Sequence, residues 1–113
     1  MRYFFAVWLF LAMPAAAEDW TQLNGGEIRD ALADAILDYE DAWQVFHASG
    51  RTLYNAGGDS LGKWDVSGDQ YCSQWPPNTA WTCYDVDLNA GGDQVRFRGR
   101  GDNVTVGTYR NAE

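Results

Sequence analysis

Apolar and polar positions alternate along most of the chain, the pattern of β-strands that bury one face. Residues 84–88 and 94–98 both show an apolar side chain at every second position. Clusters of Gly, Asn, Asp and Ser interrupt this alternation at short intervals, as in all-β meanders. The pattern predicts strands near residues 36–40, 42–48, 51–55, 61–66, 70–75, 80–88, 94–98 and 103–109.

Eight short strands joined by short turns predict a mainly β fold, either a small antiparallel up-and-down barrel or a two-layer meander. Closure into a barrel is favoured because it leaves no strand edge exposed. Residues 25–34 differ, because their apolar positions follow helical spacing and Asn24 can cap the segment. We therefore predict one short N-terminal helix that covers one end of the barrel.

The first residues have the features of an export signal. Arg2 precedes an apolar run, and three alanines at 15–17 form the small-residue pattern that signal peptidase recognises. The run is about half as long as a membrane-spanning helix requires. We predict a cleaved signal peptide at residues 1–17, a single small β-barrel domain at residues 18–113, and a periplasmic or secreted location.

The segment YCSQWPPNTAWTCY, residues 71–84, contains both cysteines of the chain. Placing Cys72 opposite Cys83 in an antiparallel pair also places Tyr71 opposite Tyr84, around a loop that begins with two prolines. An exported chain with two cysteines is expected to form one disulfide. The segment therefore predicts a cross-linked hairpin with its cysteines on one face and its tyrosines on the other.

The next hairpin pairs opposite charges. A register that aligns the apolar residues of 84–88 and 94–98 sets Asp87 opposite Arg96 and Asp85 opposite Arg98. We interpret these as exposed ion pairs, each contributing less than ~1 kcal/mol. The alternative is that the two arginines form an anion site.

Charge restricts the class of partner. The net charge is −8, and loss of the leader would remove Arg2 but no acidic residue, which makes it −9. Such a chain repels nucleic acid and anionic membranes, so we expect a charged partner to be cationic. After cleavage we expect no contact with the membrane.

The sequence contains few residues in arrangements suited to catalysis. The single histidine is His47, and no serine stands in a recognisable nucleophile motif. Asp38, Glu40 and Asp41 cluster as acid–base pairs do, but the segment also fits a charged turn. We therefore expect a non-catalytic protein without a metal ion or cofactor.

The most distinctive feature of the composition is its aromatic residues, of which twelve follow residue 17. The alternation places five on the inner face of the barrel: Trp64, Tyr71, Trp75, Tyr84 and Phe97. One interpretation is a compact aromatic core. The other is a shallow pocket at the barrel mouth, where tyrosine hydroxyls and Ser73 or Thr82 supply polarity.

The segments LNGGEIRDAL, FHASGRTLYNAGG, GKWDVSGDQYCSQW and CYDV together resemble a group of small exported alphaproteobacterial proteins, a resemblance that implies no activity. The GKWDV…YC…C portion is similar, more loosely, to small secreted eight-stranded barrels, including bacterial metalloprotease inhibitors of the Inh type and other lipocalin-like modules. The working N-terminal arm of those inhibitors has no match in EDWTQLNGGE.

Two functions follow as expectations. The first is an exported, lipocalin-like binding module that holds a small apolar or cationic ligand. The second is a protein-interaction or inhibitor module that acts through acidic loops on a basic secreted or periplasmic hydrolase.

Overall fold

A computed structural model describes residues 19–111. The predicted signal peptide at 1–17 lies outside the described residues. The elements follow one another as β1 (Trp20–Gln22), α1 (Gly25–Leu32), β2 (Ala35–Asp38), β3 (Trp43–Phe46), β4 (Arg51–Asn55), β5 (Asp59–Ser67), β6 (Gln70–Gln74), β7 (Trp81–Asn89), β8 (Gln94–Arg98) and β9 (Val104–Tyr109).

Strands β2 to β9 form a closed antiparallel barrel. Each strand pairs with the next along the chain, and β9 pairs back with β2. This confirms the prediction of a mainly β up-and-down barrel of eight strands with one short helix. Strand β1, which pairs with the end of β7, is additional and was not predicted, because three residues are too few to show an alternating pattern.

The predicted registers of the β6–β7 and β7–β8 hairpins are both confirmed. Cys72 lies opposite Cys83 in a disulfide with a Cα–Cα distance of 4.0 Å, and Tyr71 lies opposite Tyr84. Closing so short a loop stabilises the fold by about 3 kcal/mol in the chain-entropy model. The predicted strands at 70–75 and 80–88 leave four residues between them, whereas β6 and β7 are separated by six, 75–80. The connection is longer because Trp75 leaves the strand and lines the cavity inside the barrel.

Helix α1 closes one end of the barrel. A capping box fixes its first turn: the Asn24 side chain accepts from the Glu27 amide and the Glu27 carboxylate accepts from the Asn24 amide, both at 2.9 Å. Ile28 and Leu32 on its inner side are fully buried. The hydroxyl of Tyr109 in β9 donates to the Ala31 carbonyl at 2.7 Å and ties the helix to the barrel wall.

The half of the barrel next to α1 is filled. Phe46 lies at its centre, with ring centroids 5.9 Å from Trp64, 5.8 Å from Tyr71 and 6.2 Å from Phe97. Part of the aromatic set therefore forms a compact core, and the space that remains lies towards the other end.

Candidate ligand cavity at the open end of the barrel

A cavity of about 670 Å³ occupies the half of the barrel away from α1 and is partly open to solvent. In an up-and-down barrel alternate turns lie at the same end, so the turns at 39–42, 56–58, 75–80 and 99–103 surround its mouth. Six aromatic residues line it: Tyr39, Tyr54, Tyr71, Trp75, Tyr84 and Phe97.

The aromatic rings form the walls of the cavity near its mouth. Tyr54 lies between Tyr39 and Trp75, with centroid distances of 6.1 Å to each. The planes of Tyr54 and Trp75 are inclined by 72°, so they form two adjoining walls rather than a stack. Deeper inside, Tyr71 contacts Tyr84 at 5.9 Å and Phe97 at 5.1 Å.

A hydrogen-bonded group around Gln44 fixes one side of the cavity. The Gln44 side-chain oxygen accepts from the Tyr39 hydroxyl at 2.7 Å. Its amide nitrogen donates to the Thr52 hydroxyl at 2.9 Å and, more weakly, to the Tyr71 hydroxyl at 3.4 Å. Gln44 is only 5% exposed, so this partnered amide holds Tyr39 and Tyr71 in place.

Two glycines make room for the rings at the mouth. A Cβ atom at Gly62 would lie 2.6 Å from the Trp75 ring, and one at Gly107 would lie 2.8 Å from the Tyr39 ring. Trp75 is also held by its indole nitrogen, which donates to the Ser73 hydroxyl at 3.2 Å. The aromatic walls therefore have fixed positions.

The cavity carries no positive charge. Among the residues that line it, Asp59 is the one with an acidic side chain, and its carboxylate accepts from the Asn55 amide at 2.6 Å. Burial raises the pKa of Tyr71 to about 12 and raises that of Tyr39 further, so both hydroxyls are neutral under physiological conditions. The interior can therefore accept an uncharged or cationic group more readily than an anion.

The structure places the predicted site residues in two groups. Tyr71, Trp75, Tyr84 and Phe97 line the cavity, together with Ser73. Trp64 also faces inwards but lies in the core at 3% exposure, where its indole nitrogen donates to the His47 carbonyl at 2.8 Å.

Thr82, the other candidate polar residue, is exposed and does not line the cavity. Tyr39, Gln44 and Tyr54 line it but were not identified from the sequence. The alternation of β3 and β4 gives Gln44 and Tyr54 inward positions, which is the signal that could have indicated them.

The acidic cluster near the mouth lies at the end of β2, at Asp38, and in the turn that follows. Arg110 donates to both carboxylate oxygens of Asp38, and this hydrogen bonding lowers the pKa of Asp38. Glu40 and Asp41 are exposed in the next turn. Within residues 19–111, no three His, Cys, Asp or Glu side chains converge into a group that could hold a metal ion.

The prediction of exposed ion pairs in the β7–β8 hairpin is wrong for Asp87. Its side chain is 2% exposed and accepts from Arg96 at 2.8 Å and from Arg98 at 2.7 and 2.9 Å. Strand β1 causes this burial, because Gln22 pairs opposite Asp87 and the Trp20 ring covers the Arg96 guanidinium at 4.5 Å. Arg98 reaches Asp85 only at 3.9 Å.

In comparisons with known proteins, no family model, curated protein or solved structure matches the chain. Across residues 19–111, no helix is long and apolar enough to cross a membrane. The disulfide is compatible with an extracellular location, where thiols are oxidised.

Proposed function

We propose that the protein is a non-catalytic, lipocalin-like binding module, exported to the periplasm or secreted, whose cavity holds a small cationic or apolar ligand. The observation that carries this proposal is the aromatic cavity of about 670 Å³ in a barrel whose other end α1 closes. Small-molecule sites are typically concave, mostly apolar and furnished with a few fixed polar groups.

A cation is the favoured ligand among these. The rings of Tyr39, Tyr54 and Trp75 are neighbours at the mouth, and aromatic faces attract a cation through their negative π-surface. Asp59 adds a negative charge, and no lysine, arginine or histidine lines the cavity. A ligand with an organic ammonium group and a short apolar part suits this combination.

Isothermal titration with choline and with its uncharged isostere, 3,3-dimethylbutan-1-ol, tests the proposal. Desolvated cation–π contacts of about 1–2 kcal/mol predict that choline binds roughly fivefold to thirtyfold more tightly than the alcohol. Trp75→Leu removes one wall and is expected to weaken choline binding about tenfold. Trp81→Leu is the matched control, because Trp81 lies outside the cavity at 47% exposure.

The proposal fails if neither probe binds, or if Trp75→Leu and Trp81→Leu bind choline as the unmodified protein does. Tighter binding of the alcohol than of choline would retain a ligand cavity but remove the argument for a cation.

A second candidate is an inhibitor or interaction module for a basic secreted or periplasmic hydrolase. The turns around the mouth carry exposed acidic side chains at Glu40, Asp41 and Asp102, against one basic residue, Arg100, and Asp59 is exposed at the start of β5. Salt-sensitive binding of a basic lysozyme that is lost in Glu40→Gln/Asp41→Asn, by a protein that does not bind choline, would favour this candidate over the first.

A further inference from the structure

A groove lies on the outside of the barrel. It shares Leu61 and Pro76 with the lining of the cavity, and its other lining residues are its own. Ile36 lies opposite Val45, Val45 opposite Leu53, and Leu53 opposite Leu61, so four apolar residues form one row across strands β2 to β5. Their neighbours along each strand point into the barrel, so the row faces outwards. We call these four residues the apolar row.

The exposed end of the apolar row borders a groove. Leu61 is 68% exposed, the highest value among the large hydrophobic side chains of the described chain that are exposed. Beside it, Leu53, Leu61 and Pro76 form the apolar side of a groove of about 460 Å³. Exposed apolar residues that are contiguous and rimmed by polar groups are typical of binding surfaces.

Basic residues form the other side of the same groove. Arg51 lies directly opposite Lys63, both are exposed, and His47 is the next residue in line because its amide donates to the Arg51 carbonyl. Like charges directly opposite one another destabilise a sheet. The fold alone gives no reason for this arrangement.

The two cations of the groove also lack acidic partners among the described residues, which supports a role in binding. Within residues 19–111 neither Arg51 nor Lys63 has an ion-pair partner. Four other arginines in the same range do have one, namely Arg29, Arg96, Arg98 and Arg110. In a chain with sixteen acidic residues, two adjacent cations left without a carboxylate are available to an external anion.

We propose that this groove binds a small anionic amphiphile, a molecule with a carboxylate, sulfate or phosphate head and a short alkyl or aryl tail. The head lies between Arg51 and Lys63, and the tail lies on Leu53 and Leu61. Two residues along a strand separate head from tail, about 7 Å, which a short chain spans. The groove shape favours a small molecule, and the net charge of −8 opposes an anionic membrane.

NMR titration of the ¹⁵N-labelled protein with octanoate tests the proposal, with octanamide as the uncharged isostere. The amide signals of residues 51–53 and 61–63 are expected to shift with octanoate. Arg51→Gln/Lys63→Gln is expected to weaken octanoate binding about tenfold, since two exposed ionic contacts are lost. Arg100→Gln, which removes a cation at the mouth, is the matched control and leaves the affinity unchanged.

The tail is tested separately. Leu61→Asn is expected to weaken octanoate binding about fivefold through loss of apolar contact, whereas Val104→Asn, at an exposed apolar position on β9, leaves it unchanged. The double glutamine variant should melt no lower than the unmodified protein, because it removes a like-charge pair. Loss of binding therefore does not reflect unfolding.

Several results would overturn the proposal: shifts confined to the cavity, equal affinity for octanamide, or an equal loss in Arg100→Gln. So would self-association or binding of anionic vesicles through this face in place of octanoate. Leu61 and Pro76 line both sites, whereas Arg51 and Lys63 line the groove alone. Choline binding by Arg51→Gln/Lys63→Gln therefore tests the cavity separately from the groove.

Discussion

Asp87 is a carboxylate buried on the outer face of a barrel strand. Burial by itself would raise its pKa, but the hydrogen bonds from Arg98 and Arg96 outweigh that effect, and the pKa lies below its usual value. Three charge-assisted hydrogen bonds on one carboxylate, two of them the fork of a single guanidinium, fix the geometry of β7, β8 and the β1 cover.

Asp87→Asn is therefore expected to destabilise the protein by about 1.5–3 kcal/mol, the range for hydrogen bonds to charged groups. Asp85→Asn, which affects a 3.9 Å ion pair with Arg98 and a 3.2 Å hydrogen bond from Gln70, both at the surface, is the control and should cost less than ~1 kcal/mol. Urea unfolding at pH 7 measures both. Equal midpoints for the two variants would contradict the assignment.

The contribution of Asp87 to stability depends on pH, and the lowered pKa fixes the direction of that dependence. A carboxyl whose pKa is lowered on folding stabilises the protein above its unfolded pKa, about 3.9, and that contribution disappears as the pH falls through the folded value. The difference in unfolding free energy between the unmodified protein and Asp87→Asn should therefore be full at pH 7 and shrink below about pH 4. A difference that is unchanged at pH 3 would show that the charge of Asp87 is not its cause.

Gly62 controls the position of the Trp75 wall. A Cβ there meets the Trp75 ring at 2.6 Å and the Gln74 carbonyl oxygen at 2.7 Å, and the backbone atom cannot move aside easily. Gly62→Ala is expected to cost about 1–3 kcal/mol and to weaken choline binding, because the ring must shift. Gly58→Ala, which meets nothing within 4 Å, is the control for both melting and titration. Unchanged choline affinity in Gly62→Ala would contradict the role of Trp75.

At the scale of elements, α1 determines that the barrel has one closed and one open end. Its inner side contributes Ile28 and Leu32 to the core. The capping box fixes its first turn, and the Tyr109 hydroxyl bonds to its last turn at Ala31. The contact of α1 with the β5–β6 turn is also close: a Cβ at Gly25 would clash with the Gly68 carbonyl oxygen. The ligand cavity depends on this closure, because a barrel open at both ends would admit water to the core.

Leu32→Ala is expected to destabilise the protein by about 2–5 kcal/mol, the range for buried leucines whose removal leaves a cavity. Asp30→Ala, at an exposed position of the same helix, should change stability by less than ~0.5 kcal/mol. Thermal melts followed by near-ultraviolet circular dichroism compare the two. Similar melting temperatures would mean that α1 does not contribute to the core.

At the scale of the whole molecule, local alternation was sufficient to predict the barrel strands and both hairpin registers. A strand's buried face depends mainly on its own sequence, and Cys72 with Cys83 fixes one register directly. The group around Gln44 was not predictable in this way, because its partners Tyr39, Thr52 and Tyr71 come from three other segments. Their proximity follows from barrel closure, which no short segment encodes.

The burial of Asp87 was missed for a related reason. Its immediate neighbours predict an outward position, and the position is outward, but β1 returns from the start of the domain to cover it. Only three residues form that strand, so the alternation that identified the other strands is absent. The acidic mouth likewise arises when closure brings four separate turns to one end.

The most direct test of the account is whether a small organic cation enters the barrel at Trp75. Each tryptophan gives its own indole N–H signal in a ¹H–¹⁵N spectrum, so binding near one of them can be distinguished from binding near another. Trp75 donates to Ser73 inside the cavity, Trp64 donates to the His47 carbonyl in the core, and Trp81 is exposed. On titration with choline, the Trp75 signal is expected to shift progressively and saturate, while those of Trp64 and Trp81 stay in place. A static Trp75 signal at saturating choline, or a shift confined to Trp81, would contradict the cavity as the binding site.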